Sequence, residues 1–452
     1  MKVDEKIFKQ YDIRGIYPSQ LDEKTAYTIA RAYALFMNPE NKKMTIVVGQ
    51  DMRTSSPSLV REVIKGLQEQ GLDVIDVGLV ATPTFYYAVA VFGFDGGIMV
   101  SASHNPKEYN GLKMVRKGAV PISGDTGIYA IRDLAIKGIF PKINHKGSCV
   151  QKLGILQEQV QHDLAYADIK KIKPFKIVAD PANAMGILFL EELFKHLPCK
   201  LIKINFALDG TFPSHQPDPL QDDTLEELKK RVIKEHADLG IAPDGDGDRI
   251  FFVDNNGDSF PQAILRGMMA QVFLKDHPGA KICYDIRPGK ITEDLIREAG
   301  GIPIVTKVGH SLIKEHMMKE GAIFAGESSG HHFLKMKSGS YEVPMIITLK
   351  LLEIMSEKNI PLSDILKPYK KYAHSGEINS KVEDKAGKMK ELAKKYKDAQ
   401  VSWLDGVTIT YPEFWFNVRP SNTESLLRLN LEAISQSIME KRRDEVLAII
   451  RS

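Results

Sequence analysis

Short runs of apolar, largely β-branched residues that end in aspartate occur three times along the chain. They are TIVVGQD at 45–51, KIVAD at 176–180 and KICYD at 281–285. A short apolar run bounded by a loop is typical of a buried strand in a parallel sheet. The pattern therefore predicts three α/β units, each opened by such a strand.

A second strand-like run follows in each unit and ends in a polar loop. These runs are GIMVSASHNP at 97–106, LGIAPDGDGDR at 239–249 and IFAGESSGHH at 323–332. Between the paired runs, the segments 58–71, 223–236 and 291–300 carry apolar residues three and four apart, which predicts helices. Ligands of open parallel sheets bind at the carboxyl ends of the strands, so we expect the three polar loops to line one cleft.

The pattern changes after residue 367. A lysine-rich helical segment at 385–399 precedes alternating runs around VTITY and WFNVRPSNTESLLRLNLEA, which predicts a smaller α+β domain. The expected fold class is α/β, with three related α/β domains of mixed, mainly parallel sheets and a C-terminal α+β domain around a central cleft. The expected domains are 1–150, 151–253, 254–366 and 367–452.

Composition narrows the class of protein. A chain of 452 residues exceeds what one core supports, and 43% apolar with 26% charged residues is typical of globular proteins. A net charge of +3 and the lack of a long apolar run predict no nucleic-acid and no membrane partner. Three dispersed cysteines without CxxC spacing predict neither disulfides nor a zinc site, and the polar N-terminus lacks a leader, so we expect a cytoplasmic protein.

The loop SASHNP contains a candidate nucleophile, Ser103. It follows an apolar strand, and Pro106 stops regular structure, so the Ser103 hydroxyl can project from a loop. An ordinary turn is the alternative, because serine, asparagine and proline are common turn residues.

The loop PDGDGDR places Asp244, Asp246 and Asp248 at alternate positions with glycine between them. Three carboxylates suit Mg²⁺, provided that the glycines let the loop curl. An EF-hand is excluded, because its sixth and twelfth positions would be Arg249 and Asn255 instead of glycine and glutamate. A solvated acidic turn is the alternative interpretation.

The loop GESSGHH formally contains the GxSxG pattern of a hydrolase nucleophile, centred on Ser328. That pattern needs a following helix, which HHFLKMKSGSY does not predict. A ligand loop fits better: Glu327 and Ser329 can bond sugar hydroxyls, and His331 can bind or exchange a proton. An uncommitted surface turn is the alternative.

The loop RPSNTES follows an apolar strand and predicts a phosphate site. Arg419 offers a bidentate guanidinium, and three small polar side chains, Ser421, Asn422 and Thr423, add donors. A plain turn between strands is the alternative. Arg14 in YDIRG and Lys113 in NGLK could equally be surface charges, and His310 in KVGHSLIK could be a structural histidine.

Taken together, YDIRG, SASHNPKEYNGLK, PDGDGDR, KVGHSLIK, GESSGH and RPSNTE resemble, in order and spacing, the α-D-phosphohexomutase family. The resemblance covers essentially the whole chain. The segment FPSHQPDPL at 212–220 is similar to the phosphomannomutase/phosphoglucomutase branch. The resemblance implies a heart-shaped enzyme of four domains, each giving one loop to a central cleft.

The resemblance also implies the roles of individual residues. Ser103 would be the phosphoserine and would bind Mg²⁺ with Asp244, Asp246 and Asp248. The catalytic group would further include His104, Lys113, Arg14, Arg249 and His331. The substrate would be bound by Tyr11, Arg287, Lys307, Gly309, His310, Glu327, Ser329, Arg419, Ser421, Asn422, Thr423 and Arg428.

The implied reaction interconverts hexose 1-phosphate and hexose 6-phosphate, of mannose or glucose, through a hexose 1,6-bisphosphate that also activates the enzyme. Mn²⁺ could replace Mg²⁺, since oxygen ligands suit both ions. A phosphoglucosamine mutase and a non-catalytic sugar-phosphate-binding protein are the alternatives. Ser328 departs from the residues common in the family's sugar loop, which leaves the sugar open. Ser425 replaces a frequent proline after the phosphate loop, which could loosen that loop but removes no donor. The expected partners are small sugar phosphates, and the expected state is a monomer or weak homodimer.

Overall fold

The computed structural model of the chain describes residues 3–40, 42–287, 289–421 and 426–452. The chain divides into two compact units. One contains residues 1–260 and 329–365, and the other contains residues 261–328 and 366–452. Within the described residues, no helix combines the length and apolar character needed to cross a membrane.

The first sheet lies in the first unit and is mixed. Its strands are β1 (Ile13–Ile16), β2 (Thr45–Gln50), β3 (Asp73–Leu79), β4 (Gly96–Val100), β5 (Tyr109–Arg116), β6 (Val120–Pro121) and β7 (Cys149–Gln151). Their order is β1-β5-β4-β2-β3-β7, with β6 beside β5. Strand β2 is parallel to β3 and β4, whereas β5 is antiparallel to β4. The helices are α1 (Glu23–Met37), α2 (Ser56–Glu69), α3 (Thr82–Val91) and α4 (Tyr129–Lys137).

The second sheet also lies in the first unit. Its segment contains α5 (Ile155–Leu164), β8 (Lys176–Ala179), α6 (Gly186–Phe194), β9 (Lys200–Lys203), α7 (Glu226–Glu235), β10 (Leu239–Pro243) and β11 (Ile250–Asp254). The strand order is β11-β10-β8-β9, and β8 is parallel to both of its neighbours. A 3₁₀ turn at Asp222–Leu225 precedes α7, so the α-helix starts slightly later than the sequence predicts.

The third segment begins in the second unit with α8 (Gln262–Lys275), β12 (Lys281–Asp285), α9 (Lys290–Glu298), β13 (Ile302–Thr306), α10 (His310–Glu320) and β14 (Phe324–Gly326). Strand β12 is parallel to β13 and β14. The chain continues through β15 (His332–Lys335), β16 (Ser340–Glu342), α11 (Pro344–Lys358) and α12 (Leu362–Leu366). Strands β15 and β16 form an antiparallel pair in the first unit.

The C-terminal segment, in the second unit, is an antiparallel sheet with two helices. It contains β17 (Ala373–Lys381), α13 (Lys385–Lys395), β18 (Gln400–Ser402), β19 (Val407–Thr410), β20 (Phe414–Pro420), β21 (Leu426–Ala433) and α14 (Gln436–Arg451). The strand order is β17-β21-β20-β19-β18. Leu392 of α13 and Val446 of α14 pack with Phe416 of β20 in one apolar core, as expected of an α+β domain.

The three α/β segments share one local plan. The predicted strand pairs β2 and β4, β8 and β10, and β12 and β14 are all parallel. A buried aspartate stands at or just after the end of each first strand: Asp51, Asp180 and Asp285. The predicted fold class is confirmed. The domain boundaries stay a prediction, and residue 253 lies inside β11.

Candidate active site

The serine loop begins directly after β4. Ser103 has a φ of +49°, a left-handed conformation that serine rarely adopts. Its main-chain N–H donates to Ser101 Oγ over 3.0 Å, and its own Oγ donates to Asp244 Oδ2 over 2.7 Å. The strained backbone therefore directs the hydroxyl toward a carboxylate of the acid loop, residues 243–249, between β10 and β11.

The acid loop curls as the sequence predicts. One carboxylate oxygen from each of Asp244, Asp246 and Asp248 lies within 4.8 Å of the others, and all three residues are buried. Gly247 has a φ of +76°. A Cβ at Gly245 would lie 2.3 Å from the main-chain oxygen of Ser103, so only glycine fits between the two loops.

The acid loop fits a hard divalent cation. Asp246 Oδ2 accepts a hydrogen bond from Thr82 Oγ1 over 2.7 Å. Asp246 Oδ1 is buried and has no hydrogen-bond partner among the described residues. Buried carboxylate oxygens normally have a donor or a metal, and a set of three carboxylates favours Mg²⁺ or Mn²⁺ over softer metals. The residues present can therefore hold such an ion.

Lys113, on β5, compensates the charge of the acid loop. Its Nζ lies 2.7 Å from Asp246 Oδ2 and 2.5 Å from Asp248 Oδ2, and the side chain is buried. Burial alone would lower the pKa of Lys113, but attraction by Asp246 and Asp248 outweighs it and places that pKa well above its ordinary value. The lysine is therefore charged, which offsets the repulsion between the two carboxylates.

His331 joins the same cluster. Its Nε2 lies 3.1 Å from Asp248 Oδ1, and its Nδ1 lies 3.0 Å from Ser329 Oγ. The ring stacks on Phe333 with an interplanar angle of 14°. The sequence predicts one ligand loop with Glu327, Ser329 and His331. Ser329 and His331 belong to the first unit, as does the acid loop, whereas Glu327 belongs to the second unit.

Arg249 links the acid loop to His104. Its main-chain N–H donates to Asp244 Oδ1 over 3.1 Å, and its Nη2 donates to His104 Nδ1 over 2.8 Å. Burial, followed by the positive charges of Arg249 and Arg14, lowers the pKa of His104 well below its ordinary value. His104 is therefore neutral and accepts at Nδ1, which lies 3.2 Å from Ser103 Oγ.

Arg14, on β1, also reaches the serine loop. Its Nε donates to Asp12 Oδ2 over 2.8 Å, and its Nη1 donates to the carbonyl oxygen of Ala102 over 3.2 Å and to Asn105 Oδ1. Tyr11 lies half-buried in the bend before β1. The first unit therefore brings together all six predicted catalytic residues and the three aspartates.

The predicted sugar-binding residues of the second unit centre on Glu327. Arg287 Nη2 donates to Glu327 Oε1 over 3.0 Å, and the main-chain N–H of Gly309 donates to the same oxygen over 2.9 Å. Burial would lower the pKa of Arg287, but Asp285 and Glu327 together raise it above its ordinary value. His310 begins α10, and Lys307 is exposed in the loop between β13 and α10.

Ser328 does not occupy a hydrolase nucleophile elbow. The chain after it enters strand β15, whereas the elbow requires a helix. Its hydroxyl lies 3.0 Å from Asp285 Oδ1 and accepts from Arg266 Nη1 over 2.9 Å. The elbow is therefore excluded at Ser328, and the ligand-loop interpretation stays a prediction.

The two predicted phosphate-binding arginines lie side by side on neighbouring strands. Arg419 of β20 pairs in register with Arg428 of β21, and Glu377 Oε2 and Oε1 accept from them over 2.7 and 3.2 Å. Arg428 Nη2 also donates to Ser421 Oγ over 3.3 Å. Asn422 and Thr423 lie outside the described residues.

Sequence reasoning missed three residues that support these loops. Glu377 stands on β17, far from RPSNTES in the sequence. Gln216 Nε2 donates to the main-chain oxygen of His104 over 2.6 Å. Arg53 donates to the main chain of the serine loop. A signal for Arg53 existed: it stands two residues after Asp51, as Arg287 stands two residues after Asp285.

Asp244 makes the stability of the metal-free protein depend on pH. Burial, then the charges of Asp248 and Asp246, raises the pKa of Asp244 to about 7. A carboxyl whose pKa is raised by folding stabilises the fold while protonated, and this stabilisation is lost as the pH rises through the folded-state pKa. We expect the thermal midpoint in a chelating buffer to fall as the pH rises through about 7.

Asp244→Asn is the control for this pH dependence. The variant cannot ionise at this position, so its midpoint relative to that of the wild type should rise with pH over the same window. Differential scanning fluorimetry in EDTA measures both proteins. A difference that stays constant with pH would assign the titration to another group.

Comparisons with known proteins give matches along nearly the whole chain. Family models match in order: phosphoglucomutase/phosphomannomutase alpha/beta/alpha domain I at residues 5–140, domain II at 157–257, domain III at 256–372 and the C-terminal domain at 377–449. A phosphomannomutase of Vibrio cholerae is 39% identical over 455 residues, which cover 98% of each chain. A phosphomannomutase of Methanocaldococcus jannaschii is 39% identical over 457 residues, covering 99% of this chain and 98% of that one.

A solved structure supports the same assignment. The crystal structure of a phosphoglucomutase/phosphomannomutase family protein from Burkholderia thailandensis matches with a TM-score of 0.91 and 33% identity, covering 99% of this chain and 97% of that chain. The resemblance inferred from the six motifs is thereby confirmed. The chain belongs to the phosphoglucomutase/phosphomannomutase family of phosphohexomutase enzymes.

Proposed function

We propose that this enzyme interconverts the 1-phosphate and 6-phosphate of mannose and of glucose through a phosphoserine at Ser103. The observation that carries the proposal is the hydrogen bond from Ser103 Oγ to Asp244 Oδ2 in the buried acid loop. Relatives named phosphomannomutase, at 39% identity over nearly the whole chain, support the choice of mannose.

In the proposed reaction, phosphoserine transfers its phosphoryl group to O6 of a hexose 1-phosphate. The bond between phosphorus and Ser103 Oγ breaks, a bond between phosphorus and O6 forms, and the O6 proton passes to a base. The hexose 1,6-bisphosphate then returns the phosphoryl group on O1 to Ser103 Oγ, and a proton is delivered to O1. The released product is the 6-phosphate, and the phosphoserine is regenerated.

Charge neutralisation and in-line positioning dominate phosphoryl transfer. A bound Mg²⁺ would neutralise phosphoryl oxygens, and Asp244, Asp246 and Asp248, with an oxygen at Ser103, would hold it. Arg249 donates to His104 beside Ser103 Oγ, so its guanidinium can stabilise negative charge on the group being transferred. Arg14, bonded to Ala102 and Asn105, places a second positive charge at the serine loop.

Proton transfer is assigned to Lys113 and His331. Lys113 makes an ion pair with Asp248 Oδ2, and His331 Nε2 lies 3.1 Å from Asp248 Oδ1, so the two side chains are held at the same carboxylate. A base that takes the O6 proton must lie within hydrogen-bond reach of the sugar hydroxyl. Of the two side chains, His331 suits this role because a neutral imidazole nitrogen can accept a proton, whereas Lys113 is charged.

Sugar and phosphate recognition is assigned to two groups of polar residues. Glu327 and Ser329 would accept hydrogen bonds from sugar hydroxyls, with Arg287 and Gly309 orienting the Glu327 carboxylate. Arg419, Arg428 and Ser421, together with Asn422 and Thr423, would bind the phosphate that is not reacting. Tyr11, Lys307 and His310 remain proposed contacts of the substrate.

A ³¹P NMR time course tests the proposed function. Mannose 1-phosphate, glucose 1-phosphate and glucosamine 1-phosphate are incubated separately with the enzyme, Mg²⁺ and a trace of glucose 1,6-bisphosphate. A growing 6-phosphate signal from both neutral sugars is expected. Conversion of the amino sugar alone would replace the proposal with a phosphoglucosamine mutase, and conversion of none would favour a binding protein.

A further inference from the structure

Arg53 stands in the loop after β2 and is 1% exposed. A guanidinium has five N–H donors, and in Arg53 all five are engaged. Nε donates to Asp51 Oδ2 over 3.2 Å; Nη1 donates to the carbonyl oxygens of Pro106 and Tyr109 over 2.7 and 3.0 Å, and Nη2 to those of Ser103 and Asn105 over 2.7 and 2.6 Å. One side chain thus binds three carbonyl oxygens of the serine loop and the carbonyl oxygen of Tyr109, the first residue of β5.

Two further groups, the Asp51 carboxylate and the Phe212 ring, fix the Arg53 guanidinium. The carboxylate of Asp51 also accepts from the main-chain N–H of Arg53 over 3.0 Å and from Ser56 Oγ over 2.6 Å. The Phe212 ring lies 5.0 Å from the guanidinium carbon, close enough for a cation–π contact. Arg53 therefore has little freedom to follow a loop that moves.

The hydrogen bond from Arg53 to the Ser103 carbonyl helps to fix the position of the nucleophile, Ser103 Oγ. Ser103 has a φ of +49°, which for a residue with a side chain persists only when its surroundings hold it. Rotation of that backbone to an ordinary conformation would move the carbonyl away from Arg53 and the Oγ away from Asp244. Arg53 thus holds the main-chain carbonyl of Ser103, and Asp244 holds its side-chain hydroxyl.

The third α/β segment contains a matching pair. Asp285 ends β12, and Arg287 Nε lies 2.5 Å from its Oδ2 while Nη2 donates to Glu327 of the loop after β14. In both segments an arginine two residues beyond the strand-end aspartate reaches the loop after the neighbouring parallel strand. The position of the arginine thus recurs together with the position of the loop that it reaches, which burial of a charged side chain alone would not explain.

The second segment departs from this plan in an informative way. The equivalent position there is Ala182, whose N–H donates to Asp180 Oδ1 over 3.0 Å. His215 Nε2 lies 3.1 Å from Asp180 Oδ2, and the adjacent Gln216 donates to the His104 carbonyl oxygen over 2.6 Å. The second segment thus lacks an arginine equivalent to Arg53, but its Gln216 bonds the His104 carbonyl, which Arg53 does not reach.

We propose that Arg53 is a positioning residue that holds the main chain of the serine loop so that Ser103 Oγ meets the acid loop. The inference rests on the proposed function, because it assigns the catalytic value of Arg53 to the alignment of the phosphoserine. Lysine cannot replace it, since an ammonium has three donors and no planar fork.

Arg53→Lys and Arg53→Gln test the proposal, because they keep three and two donors in the same place. We expect kcat to fall about 100-fold, the order of loss that follows a small misplacement of a reacting group, while KM is unchanged. Leu67→Ala is the matched control, since it opens a cavity in the apolar core of the same unit and lowers stability away from the loop. All proteins are assayed well below their unfolding midpoints.

Hydrogen exchange measured by mass spectrometry gives a readout that does not depend on turnover. Peptides covering residues 101–110 should exchange faster in both Arg53 variants and at the wild-type rate in Leu67→Ala. Unchanged exchange in this loop, or a fall in kcat in Leu67→Ala equal to that in Arg53→Lys, would overturn the proposal. An inactive wild-type protein would refute the proposed function, and the exchange comparison would then decide the role of Arg53 alone.

Discussion

Ser103→Ala is expected to lower mutase turnover by at least on the order of 10⁴-fold, as removal of a covalent nucleophile typically does. The reason is specific to Oγ, the atom that accepts and returns the phosphoryl group in the proposed reaction. The measurement is kcat by ³¹P NMR, together with the intact mass after incubation with glucose 1,6-bisphosphate. The wild type should take up one phosphoryl group, and the variant none.

Ser58→Ala is a suitable control for this experiment. Ser58 lies in α2, where its hydroxyl donates to the carbonyl oxygen of Ser55, and its loss should leave turnover and phosphate uptake intact. The three aspartates are unchanged in Ser103→Ala, so binding of Mg²⁺ by that variant should persist. Turnover by Ser103→Ala at the wild-type rate would rule out a phosphoserine at this position.

Lys113→Met is expected to lower the free energy of unfolding of the metal-free protein by about 3–5 kcal/mol, as removal of one partner from a buried ion pair does. Asp246 and Asp248 would both lose their contact with the Nζ, and their charges would repel each other in a buried site. Urea unfolding in EDTA measures the loss. Added Mg²⁺ should restore more stability to the variant than to the wild type.

A double variant separates charge from packing in this prediction. Asp246→Asn removes one of the two carboxylates that Lys113 contacts, so in the Lys113→Met background it should regain part of the lost stability. In the wild-type background the same change should destabilise, because it removes a partner of the buried ammonium. Equal effects of Asp246→Asn in both backgrounds would mean that the lysine acts through packing alone.

Much of the fold can be predicted from local patterns of residues in the sequence. The apolar runs that end in aspartate predict β2, β8 and β12, because buried parallel strands have a continuous apolar character. The acid loop is equally local, since its three carboxylates and two glycines are consecutive. For these features, neighbouring residues carry the information.

The supporting residues depend on strand register and on contacts between distant segments. Glu377 meets Arg419 and Arg428 because β17 pairs with β21, and β21 with β20, in one particular register. Arg53 reaches the serine loop because β2 and β4 are neighbours and end at the same edge. No spacing in the sequence specifies these distances, although Arg53 repeats the position of Arg287 in the third segment.

The contact between Gly245 and the Ser103 carbonyl joins the first two α/β segments through main chain alone. At this point the two loops meet main chain to main chain, with no side chain as a spacer. Side chains that contact neither loop can then be exchanged without altering the separation of nucleophile and carboxylates, whereas Arg53, which bonds the Ser103 carbonyl, cannot. An insertion in either loop, or any residue other than glycine at position 245, would alter that separation at once.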